Sequence, residues 1–167
     1  MHYSLLVLLP KPPEDEQHLH EMLNELLLPF NEELEVETDE DGNPFNPEGK
    51  WDWWELGGRW LGLFDVADAT EVAYYGEPGT FGNGPAHPNG CDVAVRRVIR
   101  NDPLDQIHAV LAEGVWKDSH PVADWNTHEL GNPIDWEGAE QRFQAWLAHF
   151  WQSIPSDQWL ALIDYHT

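Results

Sequence analysis

The segment QWLALIDYH, residues 158–166, constrains the fold more than any other stretch of this chain. In an extended strand, successive side chains point to opposite faces. Leu160, Leu162, Asp164 and His166 therefore share one face, and Trp159, Ala161, Ile163 and Tyr165 share the other. Both faces are mainly apolar, so the strand is expected to be central in a sheet and covered on both sides. Residues 3–9 form a second apolar run that reads as a buried strand ended by Pro10.

Helical periodicity follows in PPEDEQHLHEMLNELLLPF. Pro13 suits a first turn, Glu14, Asp15 and Glu16 complement the positive helix end, and Leu19, Met22, Leu23, Leu26, Leu27 and Phe30 form one apolar stripe. ELEVET reads as a short strand or edge, and residues 38–50 as a polar loop. A second helix is expected from Asp135 to about Ser153, with Trp136, Ala139, Phe143, Trp146, Leu147 and Phe150 on one face and Pro155 beyond its end. GKWDWWELGGRW reads as a hairpin with strand 51–56, a Gly57-Gly58 turn and strand 59–66. Residues 76–90 are dense in glycine and proline and read as a loop long enough to act as a lid or carry ligand contacts. CDVAVRRVIR fits either strand or helix, and IHAVLAEGVWKD reads as a hairpin turning at Glu113-Gly114. Together these elements predict a single α+β domain over residues 1–167. Its expected form is a mostly antiparallel sheet with two amphipathic helices packed on one face.

Charge restricts the function. Thirty-one acidic and eight basic residues give a net charge of −23. Such a surface repels phosphate backbones and anionic membranes, so no direct nucleic acid and no membrane partner is expected. It favours solubility and a protein partner with a basic surface. Only three of the eight basic residues are lysines, a balance also seen in chains soluble at high salt. The run NEELEVETDED reads as a solvated face or as an imitation of a phosphate backbone that occupies a basic groove. Cys91 is the only cysteine, which excludes an intramolecular disulfide, and it reads better as a buried hydrophobe than as a reactive thiol. The opening MHYSLLVLLPKPPEDE lacks a basic leader and is too short to span a bilayer, which predicts a cytoplasmic protein.

Two groups of residues carry candidate chemistry. Trp51, Asp52, Trp53, Trp54, Arg59 and Trp60 lie within ten positions. Strand alternation puts Trp51 and Trp53 on one face and Asp52 and Trp54 on the other. They form either a packed hairpin, with Arg59 stacked on an indole and paired with Asp52 or Glu55, or a slot for a planar nucleotide-like anion. Asp164 and His166 are the second group, a carboxylate–imidazole pair suited to general-base catalysis or metal binding. His18 and His20, two apart on a helix, face different directions and do not form a metal motif. His87, His120 and His128 fall in loops near Asp92, Asp118 and Asp124. There is no phosphate loop, dinucleotide fingerprint or nucleophile elbow, and neither a cofactor nor a metal is expected.

The motifs from Leu28 to Glu33, Lys50 to Gly62, Ile107 to Trp116 and Asp164 to His166 resemble a family of small phage and bacterial proteins. That family carries an LxPF/Y-x-E segment, a KWDWY-x-IGGRW-x-G block, an FAV-x-x-DGxW strand pair and a terminal DCH. The resemblance spans nearly the whole chain and implies no particular activity. Tyr165 stands where the family has cysteine, which argues against thiol chemistry there, and DSHPVADWNTHELGNP replaces the family's ERGEMGWWG stretch.

These readings rank three functions. The first is a small acidic phage-type accessory protein that binds and modulates a basic or nucleic-acid-processing partner. The second is a binder of a nucleotide-like anionic small molecule through the Trp/Arg59 pocket, and the third an Asp/His hydrolase. All three expect residues 51–66 to fold back beside the terminal strand, so that Arg59 and His166 face a common hollow.

Overall fold

The computed structural model describes residues 1–66, 74, 76–78, 84–119 and 136–167, which form eleven strands and two α-helices. The strands are β1 (His2–Leu8), β2 (Glu37–Thr38), β3 (Pro44–Phe45), β4 (Trp53–Gly58), β5 (Phe64–Asp65), β6 (Glu77–Pro78), β7 (Gly90–Cys91), β8 (Val93–Val95), β9 (Ala109–Ala112), β10 (Val115–Asp118) and β11 (Trp159–His166). The helices are α1 (Glu16–Leu27) and α2 (Trp136–Ser153).

β11 lies inside the main sheet, as its doubly apolar pattern requires. One edge pairs with β1 along its whole length, from His2↔His166 to Leu8↔Leu160. Its other edge is shared, with β4 on residues 163–166 and β8 on residues 159–161. The sheet runs β10-β9-β1-β11-β4-β6, with β8 also on β11. It is mostly antiparallel; β1 with β9 and β4 with β6 are the parallel pairs.

The two faces carry separate cores. Leu5, Val7, Ala161, Ile163 and Tyr165 pack against Leu19, Met22, Leu23 and Leu27 of α1. Leu6, Val110, Leu160 and Leu162 pack against Phe143, Leu147 and Trp151 of α2. The helices therefore cover opposite faces of the sheet, which corrects the expectation that both lie on one. The reason is the strand pattern itself: β1 and β11 are apolar on both sides, and a single helical layer would leave one side wet.

Local chemistry sets the elements. The Asp15 carboxylate caps α1 by accepting the His18 N–H at 2.8 Å. Glu113 (φ 52°) and Gly114 (φ 76°) give the β9–β10 turn the two positive φ angles of a tight hairpin. The segment read as strand or helix is both in succession: β7 and β8, then a short 3₁₀ turn at Arg96–Val98. ELEVET contributes β2, which pairs with β3 from the expected polar loop.

The Gly57-Gly58 hairpin does not form. Both glycines belong to β4, whose partners are β11 and β6, while β5 pairs with β7. Their positive φ angles of 74° and 54° serve close packing against two buried carboxylates. Among the described residues, no helix is long and apolar enough to cross a membrane.

Candidate functional site

On the α2 side the sheet changes character beyond Leu6 and Leu162. The next row across β1, β11 and β4 is Ser4↔Asp164↔Glu55, and the row after it is His2↔His166↔Trp53. One end of an otherwise apolar face thus carries a polar constellation.

Asp164 is fully buried at its centre. One carboxylate oxygen accepts the backbone N–H of Arg59 at 2.9 Å, and the other lies 3.0 Å from Nδ1 of His2. An ionised carboxylate only accepts, so the His2 proton sits on Nδ1 and Nε2 is left as the basic nitrogen. A second pair stands beside the first: Nδ1 of His166 lies 2.9 Å from Asp52, whose backbone N–H returns to the His166 carbonyl at 3.0 Å. The two imidazoles meet edge to face with centroids 5.2 Å apart, and Trp53 lies 5.9 Å from His2. Two imidazoles, each oriented through Nδ1 by a carboxylate, can take up or deliver a proton.

Ser4 is not the nucleophile of this group. Its buried hydroxyl donates to the Gln106 carbonyl and lies 2.9 Å from Nδ1 of His108. His108 in turn meets the Trp60 ring at 5.6 Å.

The double glycine explains how the loop reaches this site. A Cβ on Gly58 would stand 2.5 Å from Oδ2 of Asp164 and 2.7 Å from Oε1 of Glu55. A Cβ on Gly57 would stand 2.8 Å from the Asp92 carboxyl carbon. Asp92, also fully buried, accepts the N–H groups of Gly62 at 2.6 Å and Gly76 at 2.8 Å. Burial nevertheless pushes its carboxyl up to about 6, against the opposing pull of those two donors. The turn after β4 is thus pinned between Asp92 and Asp164. Next to Asp92, burial raises the Cys91 thiol to about 12, which removes it as a nucleophile. The buried Tyr165 hydroxyl is also shifted upward by desolvation.

The six residues of the tryptophan block do not share one pocket. Trp51 donates its indole N–H to the Leu27 carbonyl at 2.9 Å and packs with Trp54 on the α1 side. Trp53 and Trp60 lie on the α2 side with the polar rows. The expected pairing of Trp51 with Trp53 fails because Trp51 forms an isolated bridge to Asn31 and regular alternation begins only at Trp53. Arg59 is exposed, and it is its backbone N–H that engages Asp164. Asp164 and His166 share a face as expected, yet each takes a different partner: His2 for the aspartate and Asp52 for the histidine.

His18 accepts the Glu14 N–H at 3.0 Å, and His87 lies 3.5 Å from the Asn101 side chain. Asp118 pairs with Lys50 at 3.6 Å. His120, Asp124 and His128 lie outside the described residues. Among the described residues, no three His, Cys, Asp or Glu side chains are placed to hold a metal ion.

His2, Ser4, Glu55, Asp92 and His108 escaped the sequence reading. The signal for the first two was present: His2 and Ser4 continue the Leu6, Leu8 face at a period of two and turn it polar. No family model matches the chain, and no curated protein or solved structure matches it either.

Proposed function

We propose that this chain is a small acidic accessory protein, of the phage type its motifs resemble, that binds and modulates a basic or nucleic-acid-processing partner. The observation that carries this reading is the surface built from residues 12–49. That stretch holds thirteen Asp and Glu and no Lys or Arg, and all thirteen acids are exposed. They line the outer face of α1 and the β2–β3 ribbon. The ribbon is preformed: the Asp39 carboxylate accepts the N–H groups of Asn43 at 2.8 Å and Asp41 at 3.0 Å. The Asn43 donor, first among these, holds the Asp39 carboxyl below its ordinary value.

Apolar side chains stand among the acids. Leu28, Val36 and Phe45 are 54%, 56% and 39% exposed, and Val36 and Phe45 are joined across the ribbon by a 3.1 Å backbone bond. Charge of one sign speeds and orients encounter, while exposed apolar groups supply the contact that water exclusion rewards.

The test is capture with the immobilised full chain at low and high salt, alongside a variant with Glu32, Glu33, Glu35 and Glu37 changed to Gln. A partner retained at about 50 mM salt, released by about 500 mM and lost by the variant supports the reading. A chain that retains nothing at low salt removes it.

A second reading, an Asp/His hydrolase, is favoured by the buried Asp164 that orients His2. Its test is hydrolysis of a panel of esters and phosphodiesters. Activity with a bell-shaped pH profile that disappears in His2→Ala supports it, and an inert wild-type chain ends it.

A further inference from the structure

We propose that the groove between α1 and β4 seats an arginine side chain of the basic partner. Resting on the basic-partner reading above, this seat gives that partner a recognition element on the acidic face.

Glu16, His20 and Asn24 recur at intervals of four and so form one stripe of α1. This stripe faces Trp54 and Glu55 of β4 across an open cavity of about 480 Å³. The His20 imidazole already stacks on the Trp54 indole, with centroids 6.2 Å apart and planes inclined by 26°. The exposed face of Trp54 therefore accepts a planar nitrogen ring. A guanidinium is planar and always charged, and it stacks on indoles more favourably than a neutral imidazole.

The two walls each present a carboxylate, Glu16 from the helix and Glu55 from the strand. Together they match the spread of N–H donors on a guanidinium, and the Asn24 amide adds a further acceptor. An ammonium group would find the same charge but gain less from the indole face, which is why the seat selects arginine over lysine. No lysine or arginine of residues 12–49 is available to fill it.

The experiment titrates tetra-arginine and tetra-lysine peptides into the full chain at low salt, read by NMR at the Trp54 indole and Asn24 amide. Glu16→Lys serves as the charge variant, at an exposed helix position, and Trp54→Phe assigns the indole signal while keeping an aromatic ring in the core contact. Tetra-arginine is expected to shift both signals and to bind about tenfold tighter than tetra-lysine, with a loss of about tenfold in Glu16→Lys.

If tetra-arginine binds in a salt-sensitive way but leaves Trp54 and Asn24 unmoved, or binds Glu16→Lys equally well, the seat is wrong and the basic-partner reading stands. Equal affinity for the two peptides overturns the arginine assignment. Absence of binding by both peptides overturns the seat and the reading together.

Discussion

Asp92 couples the fold to pH in a direction unusual for an aspartate. Its side chain is fully buried between Gly57, Gly62 and Gly76, and desolvation lifts its carboxyl from the ordinary 3.8 to about 6. The folded state therefore holds the Asp92 proton more tightly than the unfolded chain does. The stability this group contributes is complete below the unfolded value and is lost as pH rises through about 6. The full difference between 3.8 and about 6 corresponds to about 3 kcal/mol, of which about 1.4 kcal/mol appears between pH 7 and pH 5. Acidification also relieves the repulsion of a net charge of −23, so wild-type stability alone does not isolate the effect. Asp92→Asn does isolate it. The amide cannot titrate, while the rest of the charge is nearly unchanged. The assay is urea unfolding followed by tryptophan fluorescence, for both proteins at both pH values. Wild type should gain about 1.4 kcal/mol relative to the variant on going from pH 7 to pH 5. A difference that stays constant, or that moves the other way, refutes the reasoning.

Three further outcomes are expected. Gly58→Ala should cost about 3 kcal/mol or more, because its Cβ would stand 2.5 Å from Asp164 at a φ of +54°; Gly42→Ala, with a φ of +87° and nothing within 4 Å, should cost only about 1 kcal/mol. Thermal melts that rank the two alike would contradict the proposed role of the close approach. Cys91 should resist a thiol-reactive dye in the native chain and react only on unfolding, given full burial and a thiol raised to about 12; fast labelling under native conditions would show the pocket to be open. His2→Ala should destabilise the fold by about 1–3 kcal/mol in urea titrations, since the buried Asp164 loses its imidazole partner. An unchanged midpoint would mean that water replaces the imidazole at no cost.

Much of the architecture was legible because it depends on short-range periodicity. The stripe Leu19, Met22, Leu23, Leu27 specified α1, the alternation in residues 159–166 specified a covered strand, and Glu113-Gly114 specified a turn. What could not be read was anything that needs a partner from far along the chain. A helix stripe says that a face is buried and not which side of a sheet buries it. Glycine at positions 57 and 58 signals a backbone need, and tight turns and close carboxylate contacts ask for the same residue. Asp164 and His166 were recognisable as chemistry, but their partners His2 and Asp52 lie 162 and 114 residues away, beyond the reach of local spacing. Trp151, fully buried under α2, escaped although it continues the Phe143, Leu147 spacing; its indole N–H is satisfied by Asp102 at 2.5 Å.

The adjacency of β1 and β11 has a consequence for how the molecule is made. Residues 2–8 await a neighbour that emerges from the ribosome only after some 150 further residues have been translated, so the sheet stays unclosed through most of synthesis. Until then Leu5, Leu6 and Val7 offer bare edges to other nascent chains. The same arrangement leaves the amino group of Met1 2.5 Å from the Thr167 carbonyl, close enough for a short peptide to join the ends. A circular permutant opened at the exposed Asp41-Gly42 turn would then translate the two central strands back to back and turn the slowest pairing into a local one.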